Sequence, residues 1–470
     1  MLTCRRSPSN QQKRNLKSNA PDPGPEPPEP EQNPPRHIQV KPWSAFRFRD
    51  YRMLWSGSVA AMITMNLRVL VTGIWLYEET GSGVVLAGLG LIELGMRIPA
   101  NLYGGALADE VDRKKLMAVT QAASFLLIAA MAVLEGSGTL RIWHIYVITA
   151  VLSSTSVLGG PARSALTARV VPRSHLMHAV ATNTATMQIG TMVTPIVFWL
   201  TSLTTDLTLS FAVTAGTAAV STVLPLMIRI DGRAQGSTSG QSRVRNIVDG
   251  LKYVKSHPIL PGLYLLDIGV TVVSFYRQLF PIFADHLYRG GRGTVSALTW
   301  ANSAGGLIGS FIVMFTRDYR AKGMLVLWAT LLYGVLLIAF GATTVLWVGM
   351  IVIVALGATD GVGMTSRQAI VQLTTPDNMR GRAIAAHSLA AMSANGIGQA
   401  EVGFMSEMIG ADRTMFLGGA ISIVVVFLVW WLVKGVRQYR YTDVPSAAAV
   451  DDDYSQSSQA PFETDLRSMK

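Results

Sequence analysis

Gly105-Ala106-Leu107-Ala108-Asp109-Glu110-Val111-Asp112-Arg113-Lys114-Lys115 closes a long apolar block and turns, within a few residues, into acid and then base. An apolar block of about 20 residues that stops on clustered charge reads as a helix leaving a bilayer. Gly105 and Ala106 are small enough for a neighbouring helix to approach closely. Asp109, at the helix end, can accept from the N-terminus of another helix. Arg113, Lys114 and Lys115 anchor the loop at the cytoplasmic surface. Together these residues can form a latch that holds one side of a helical bundle shut.

Outward from this stretch the apolar blocks recur. Half of the 470 residues are hydrophobic and 15% are charged, where a soluble domain carries about a quarter. The spacing predicts spans at 54–77, 84–107, 115–135, 141–162, 178–202, 208–229, 259–284, 295–316, 324–342, 344–365, 383–407 and 414–434. The expected fold is therefore an all-α membrane protein of about twelve transmembrane helices. Residues 43–53 (WSAFRFRDYRM) read as an amphipathic stretch at the membrane surface. Residues 1–42 and 438–470 read as disordered cytoplasmic tails. Between them lie six-helix bundles at 43–230 and 258–437, joined by a cytoplasmic linker at 231–257. The linker starts Gly/Ser-rich and ends in a surface helix.

The formal net charge of +11 is set by topology. Arg and Lys cluster in alternate loops, around 113–115, 163–173, 233–255, 317–322, 367–382 and 434–440. That bias puts both termini in the cytoplasm. No basic face with interleaved aromatics stands apart from the helices, so no nucleic-acid partner is expected. Cys4 is the single cysteine and excludes an intramolecular disulfide. No apolar stretch follows the basic start closely enough for a cleavable signal.

The halves repeat. An offset of 204 residues carries Arg163 to Arg367, Pro172 to Pro376, Gly105 to Gly309 and Arg113 to Arg317. One offset linking four positions in two regions implies a duplicated six-helix unit in parallel orientation, a plan used by secondary transporters.

Charge inside the spans is the second signal: Arg68, Glu93, Arg97, Asp267, Arg277, Asp360, Glu401 and Glu407. A charge at bilayer depth costs at least ~2.5 kcal/mol, so it faces a cavity or a partner. Glu93 and Arg97 are four apart on one helical face and can pair with each other or reach Arg68. Glu401 sits well inside its span and is the best lone carboxylate for proton coupling. Asp360 lies between Gly357 and Gly361, so helix packing competes with function there. Asp267, Arg277 and Glu407 read as groups near span ends that snorkel. Asn66 is a candidate for lining a polar cavity.

Here the sequence resembles the major facilitator superfamily. Residues 105–115 match its loop signature, Gly-x-Leu-x-Asp-Arg-x-Gly-Arg-Lys, and depart from it at Glu110 and Asp112. The Asp-x-Val-Asp-Arg form resembles the branch of enterobactin-type siderophore exporters and macrolide-efflux proteins. So do Trp75-Leu76-Tyr77 and Thr80-Gly81-Ser82 upstream, and Pro376-Asp377-Asn378-Met379-Arg380-Gly381-Arg382 in the second half. The resemblance implies two pseudo-symmetric six-helix bundles rocking about a midplane site. It implies proton-driven efflux of a hydrophobic or amphiphilic small molecule, through the plasma (inner) membrane of a prokaryote, by a monomer. It assigns the cytoplasmic gate to Gly105, Asp109, Arg113, Lys114, Arg367, Pro376, Arg380, Gly381 and Arg382. The substrate or proton pathway falls to Asn66, Arg68, Glu93, Arg97, Asp360 and Glu401.

No Gly-Lys-Ser/Thr phosphate loop is present, so ATP-driven transport encoded in this chain is not expected. The loops are too short for a catalytic domain, and no cofactor is expected. His175 and His178 lack Cys or carboxylate support, so neither is a metal site. A solute importer of the same superfamily, or a non-transporting receptor or scaffold, remains an alternative, because fold fixes neither direction nor substrate.

Overall fold

The computed structural model describes residues 44–110, 112–172, 175–204, 206–229, 243–316 and 319–440. The tails, the Gly/Ser-rich part of the linker and the side chains of Gly105, Asp109, Arg113 and Arg380 lie outside the described residues. The described chain is helical throughout. In order come α1 (Arg49–Thr80), α2 (Gly83–Glu110), α3 (Arg113–Gly136), α4 (Ile142–Val170), α5 (Leu176–Thr201) and α6 (Thr208–Leu226). A linker helix α7 (Arg243–Ser256) follows, then α8 (Leu260–Val273), a short α9 (Phe280–Ile282), α10 (Arg292–Phe315), α11 (Lys322–Gly341), α12 (Leu346–Thr374), α13 (Asp377–Ile409), α14 (Ala411–Leu432) and a final turn α15 (Lys434–Gln438).

Local chemistry sets the ends. Gly81 stops α1 at φ 63°, and its N–H bonds the Tyr77 carbonyl; only glycine takes that left-handed cap without strain. The Asp112 carboxylate caps α3, accepting from the Lys114 and Lys115 amides at 2.8 and 3.2 Å. It thereby satisfies two donors that the first helical turn leaves open. Pro376 sits at the N-cap of α13, and Gly410, at φ 91°, separates α13 from α14.

Among the described residues, ten stretches are long and apolar enough to cross a membrane. Two further long helices, α5 and α13, are more polar, with Thr182, Thr186 and Gln188 in one and His387, Gln399 and Glu401 in the other. Packing explains why they tolerate this. Within the first half α1 packs on α5 and α6, α4 on α2 and α3, and α3 on α6. Within the second half α8 packs on α13 and α14, α12 on α10 and α11, and α11 on α14. These are the same five pairings, taken in the same order along the chain. Ile142 to Leu346 and Val170 to Thr374 are each displaced by 204 residues, so the offset read from the sequence is the offset between α4 and α12. The molecule is two copies of one six-helix unit. The copies meet where α2 packs on α13 and α5 on α10, so the two polar helices face the other half rather than lipid.

The seam between halves is built on small residues. A Cβ at Gly83 would lie 2.7 Å from the Gly403 carbonyl, and one at Gly90 3.0 Å from the Gly396 carbonyl. Gly305 and Gly309 of α10 likewise meet the backbone of Val354 and Ala358 on α12. Backbones approach this closely only where side chains are absent. Outward faces carry Phe315, Trp347 and Ile351, exposed at 87%, 73% and 70%, an apolar shell suited to lipid.

Three local features differ from the sequence reading. Residues 44–53 do not simply skim a surface: Ala45 and Tyr51, with Leu54 just beyond, are buried against Leu116, Leu166, Val170 and Ala179. The helix α4 runs to Val170, so Arg163 lies inside it and not in a loop. The seventh span is broken: α8 ends at Val273, and Tyr276–Leu279 forms a 3₁₀ turn. The short α9 follows, with Pro281 in its first turn, and then Phe283–Leu287 forms a π turn. Its apolar composition hides the break, because hydropathy averages over Ser274, Arg277 and Pro281.

Candidate functional site

Six of the intramembrane charges fall into three separate clusters. In the first half Glu93 of α2 lies between two arginines. Its Oε1 is 3.3 Å from Arg68 Nη2 of α1, and its Oε2 is 3.0 Å from Arg97 Nη2 one turn on. The side chains of Arg68 and Glu93 are only 7% and 11% exposed. Neither charge would survive such burial alone, and shared hydrogen bonds stabilise both. A cavity of about 140 Å³ opens beside them, lined by Arg68, Arg97, Arg163, Gln121, Thr120 and Ser124 among others.

The second cluster lies in the other half. Arg367 of α12 binds Asp267 of α8 at 2.7 Å, and His387 Nε2 of α13 lies 3.8 Å from the second oxygen of Asp267. The sequence reading took Asp267 for a snorkelling end group. It is in fact only 14% exposed and pinned, because Arg367 also lies inside its helix. The third cluster sits at the break in the seventh span. Arg277 reaches Asp360 of α12 at 2.8 Å. Nearby, Tyr276 donates to Asn302, and Tyr333 bonds Ser274 at 3.0 Å. Asp360 therefore has an ion-pair partner, and the packing role falls to its neighbours Gly357 and Gly361, which lie against Asn302 and Gly306. Discontinuous helices that expose backbone and charge at mid-depth are where many secondary transporters hold ligands.

Glu401 of α13 is different. Its Oε2 is buried and has no hydrogen-bond partner among the described residues. It stands two residues from Gly403, and Glu93 stands three from Gly90, so both carboxylates lie within a turn of the α2–α13 seam. Among the described residues, Asn66 has no hydrogen bond to these charges. Its Nδ2 donates to the Met62 carbonyl at 3.0 Å in its own helix.

The loops expected to form the gate lie at the arginine-rich end of the bundle. There Lys114 donates to the Ile228 carbonyl, and Arg382 is 3.6 Å from Asp249 of α7. Pro376 caps α13, and Gly381 has open space around it.

The opposite end holds a set of contacts that sequence reasoning missed. Arg292 of α10 grips Glu78 of α1 with two 2.7 Å bonds and donates a third, at 3.1 Å, to the Thr204 carbonyl. Tyr77 donates to Asp285 at 3.3 Å. Glu407 accepts from the Gly83 amide at 2.7 Å and from Ser82 at 3.2 Å. Every one of these bonds joins one half to the other. Glu407 is thus a cross-half clasp and not a free surface group. The missed signal was modest: Glu78 and Glu407 both sit in the last turns of their spans.

A sequence profile described as transmembrane secretion effector matches residues 40–456. The enterobactin exporter EntS of Escherichia coli O81 (strain ED1a) is 23% identical over 398 residues, covering 84% of this chain and 92% of the relative. EntS of Shigella boydii serotype 18 is 22% identical over the same span. Among solved structures, the nucleoside transporter NupG superposes with a TM-score of 0.66 at 12% identity, over 81% of this chain and 99% of that one. A bacterial homologue of the human lysosomal transporter Spinster, inward-facing and unoccupied, gives 0.66 at 12% over 84% and 99%.

Proposed function

We propose, from the premise that this chain belongs to the transmembrane secretion effector family of major facilitator transporters, that it is a proton-coupled exporter of hydrophobic or amphiphilic small molecules. The family makes it a multi-pass membrane transporter and not an enzyme. Export follows the direction named for its EntS relatives. The arginine-rich end faces the cytoplasm by the positive-inside bias, which places both termini inside, in the inner membrane. The cross-half bonds of Glu78, Arg292, Tyr77, Asp285 and Glu407 then close the outer side.

One observation carries the coupling: Glu93 and Glu401 sit on the two helices whose packing must change when the halves rock. Glu401 has a buried oxygen that no described residue bonds, and a proton is the simplest partner for it. Glu93 is shared by two arginines, so its protonation would release both. Proton loading from outside and release inside, alternating with substrate, is antiport by alternating access. At the inner side, Asp109, Arg113 and Lys114 with Arg380, Gly381 and Arg382 form the complementary latch. Monomeric function needs no further subunit, since each clasp closes within one chain.

The test is accumulation of dyes, macrolides and siderophores in efflux-deficient cells, comparing wild type with Asp109→Asn, with and without a protonophore. Lower accumulation that requires both Asp109 and the gradient supports export. Higher accumulation reverses the direction, and no change across the panel, with the protein in the membrane, refutes transport.

A further inference from the structure

We infer that the cavity inside the first bundle is an anion site, which takes the acidic group of the transported molecule. The inference rests on the exporter reading and deepens it by naming organic anions as the substrate class.

Three guanidinium groups, Arg68, Arg97 and Arg163, line this cavity. Among the described residues, the one carboxylate bonded to any of them is Glu93, shared by Arg68 and Arg97. The wall is therefore formally two positive charges in surplus. Arg163 is the group that matters. Its Nε is fully buried and unbonded, and its guanidinium has no ion pair among the described residues.

The internal repeat supplies the comparison. Arg367, displaced by 204 residues, occupies the same place in α12 that Arg163 holds in α4, and Asp267 neutralises it at 2.7 Å. Asp267 belongs to α8, the counterpart of α1, and α1 carries no acid between Tyr51 and Tyr77. One half balances its arginine with its own carboxylate, whereas the other presents it to a cavity. A cation whose Nε is buried and unbonded, with no counter-ion among the described residues, is costly to keep, and a guanidinium fork is the group that matches carboxylate or phosphate geometry. The ligand itself then supplies the missing negative charge.

Size limits what enters. A volume of about 140 Å³ lies below the ~300 Å³ minimum of drug-sized pockets. It holds a carboxylate, sulfonate or phosphoryl group and leaves the rest of the molecule outside.

The experiment uses the purified full chain in nanodiscs of zwitterionic lipid, with carboxyfluorescein anisotropy as readout. Benzoate and its neutral isostere benzamide serve as competitors. Benzoate should displace carboxyfluorescein and benzamide should not. Arg163→Gln should weaken carboxyfluorescein at least tenfold, and Arg163→Lys, which keeps charge but loses the fork, less. Unchanged binding by a folded Arg163→Gln protein, or equal displacement by benzamide, overturns the inference. If Arg163→Gln fails to fold, Arg163→Lys and the wild-type competition decide. Loss of carboxyfluorescein binding on adding phosphatidylglycerol assigns the site to a lipid headgroup and also overturns it. Arg163-dependent binding without transport of any compound would leave the anion site standing and count against the exporter reading instead.

Discussion

Replacing Arg292 with Gln should loosen, about tenfold, the end of the transporter that we propose as its outer side. Arg292 belongs to the second half, whereas Glu78 and Thr204, which it bonds, belong to the first. All three bonds are therefore lost when the halves separate at this end, and their full worth counts toward the closed state. The Glu78 side chain is 39% exposed and that of Arg292 20%, so the ion pair is screened and belongs near the upper end of the ~0.2–1 kcal/mol of exposed pairs. The bond to the Thr204 carbonyl adds about 0.5–1 kcal/mol. The sum, near 1.4 kcal/mol, is a factor of about ten in the ratio of closed to open outer sides. Spin labels at Ser137→Cys and Thr344→Cys, on exposed loops of opposite halves with Cys4 replaced by Ser, report the separation as a distance distribution. Arg292→Gln should multiply the long-distance population about tenfold. Glu78→Gln should do nearly the same, and the double substitution little more. If Arg292→Gln shifts the ratio less than twofold, or if the two single effects simply add, the contact is a bystander and not a clasp.

Other outcomes follow from the same geometry. Asp267→Asn leaves Arg367 buried without its counter-ion and should cost about 3 kcal/mol, seen as a lower melting temperature in detergent that Asp267→Asn with Arg367→Met partly restores. Gly90→Val forces a branched side chain into the α2–α13 seam, where even a Cβ lies 2.5 Å from Gln399; transport should fall more than tenfold while the protein still reaches the membrane. His257 lies outside the spans and caps α8, its Nδ1 accepting from the Ile259 and Leu260 amides at 3.3 and 3.4 Å. Burial pushes its pKa below the ordinary 6.5, and a hydrogen bond with the Thr374 backbone opposes this. On acidification the unfolded chain takes up a proton before the folded one does, so stability should fall as pH drops below about 6.5. In His257→Ala that pH dependence should vanish at a uniform cost of about 1 kcal/mol, readable in melting curves across pH 5 to 8.

The fold was legible because a bilayer enforces it. A helix must hide every backbone group from lipid, so apolar length alone announced the spans. The 204-residue offset between Arg163 and Arg367 disclosed the repeat. Glu93 with Arg97 was readable from four-residue spacing, and Arg68 as a partner from its depth. What stayed hidden were contacts between residues far apart in sequence. Nothing local to Asp267 announces Arg367, 100 residues on, and nothing local to Glu407 announces Ser82 and Gly83. The break at Ser274 was masked because apolar residues flank it on both sides. Arg163 was assigned to a loop because its charge seemed to end the span, whereas α4 continues for two more turns and carries it inward.

The central claim is that proton movement through Glu93 and Glu401 drives export. Its most direct test is the purified full chain in proteoliposomes under an imposed proton gradient, with substrate flux and internal pH followed together. Wild type should move substrate against the proton flow. Glu93→Gln with Glu401→Gln should retain downhill substrate movement and lose both the uphill component and the coupled proton flux. Uphill transport with unchanged pH dependence in that double variant would contradict the claim.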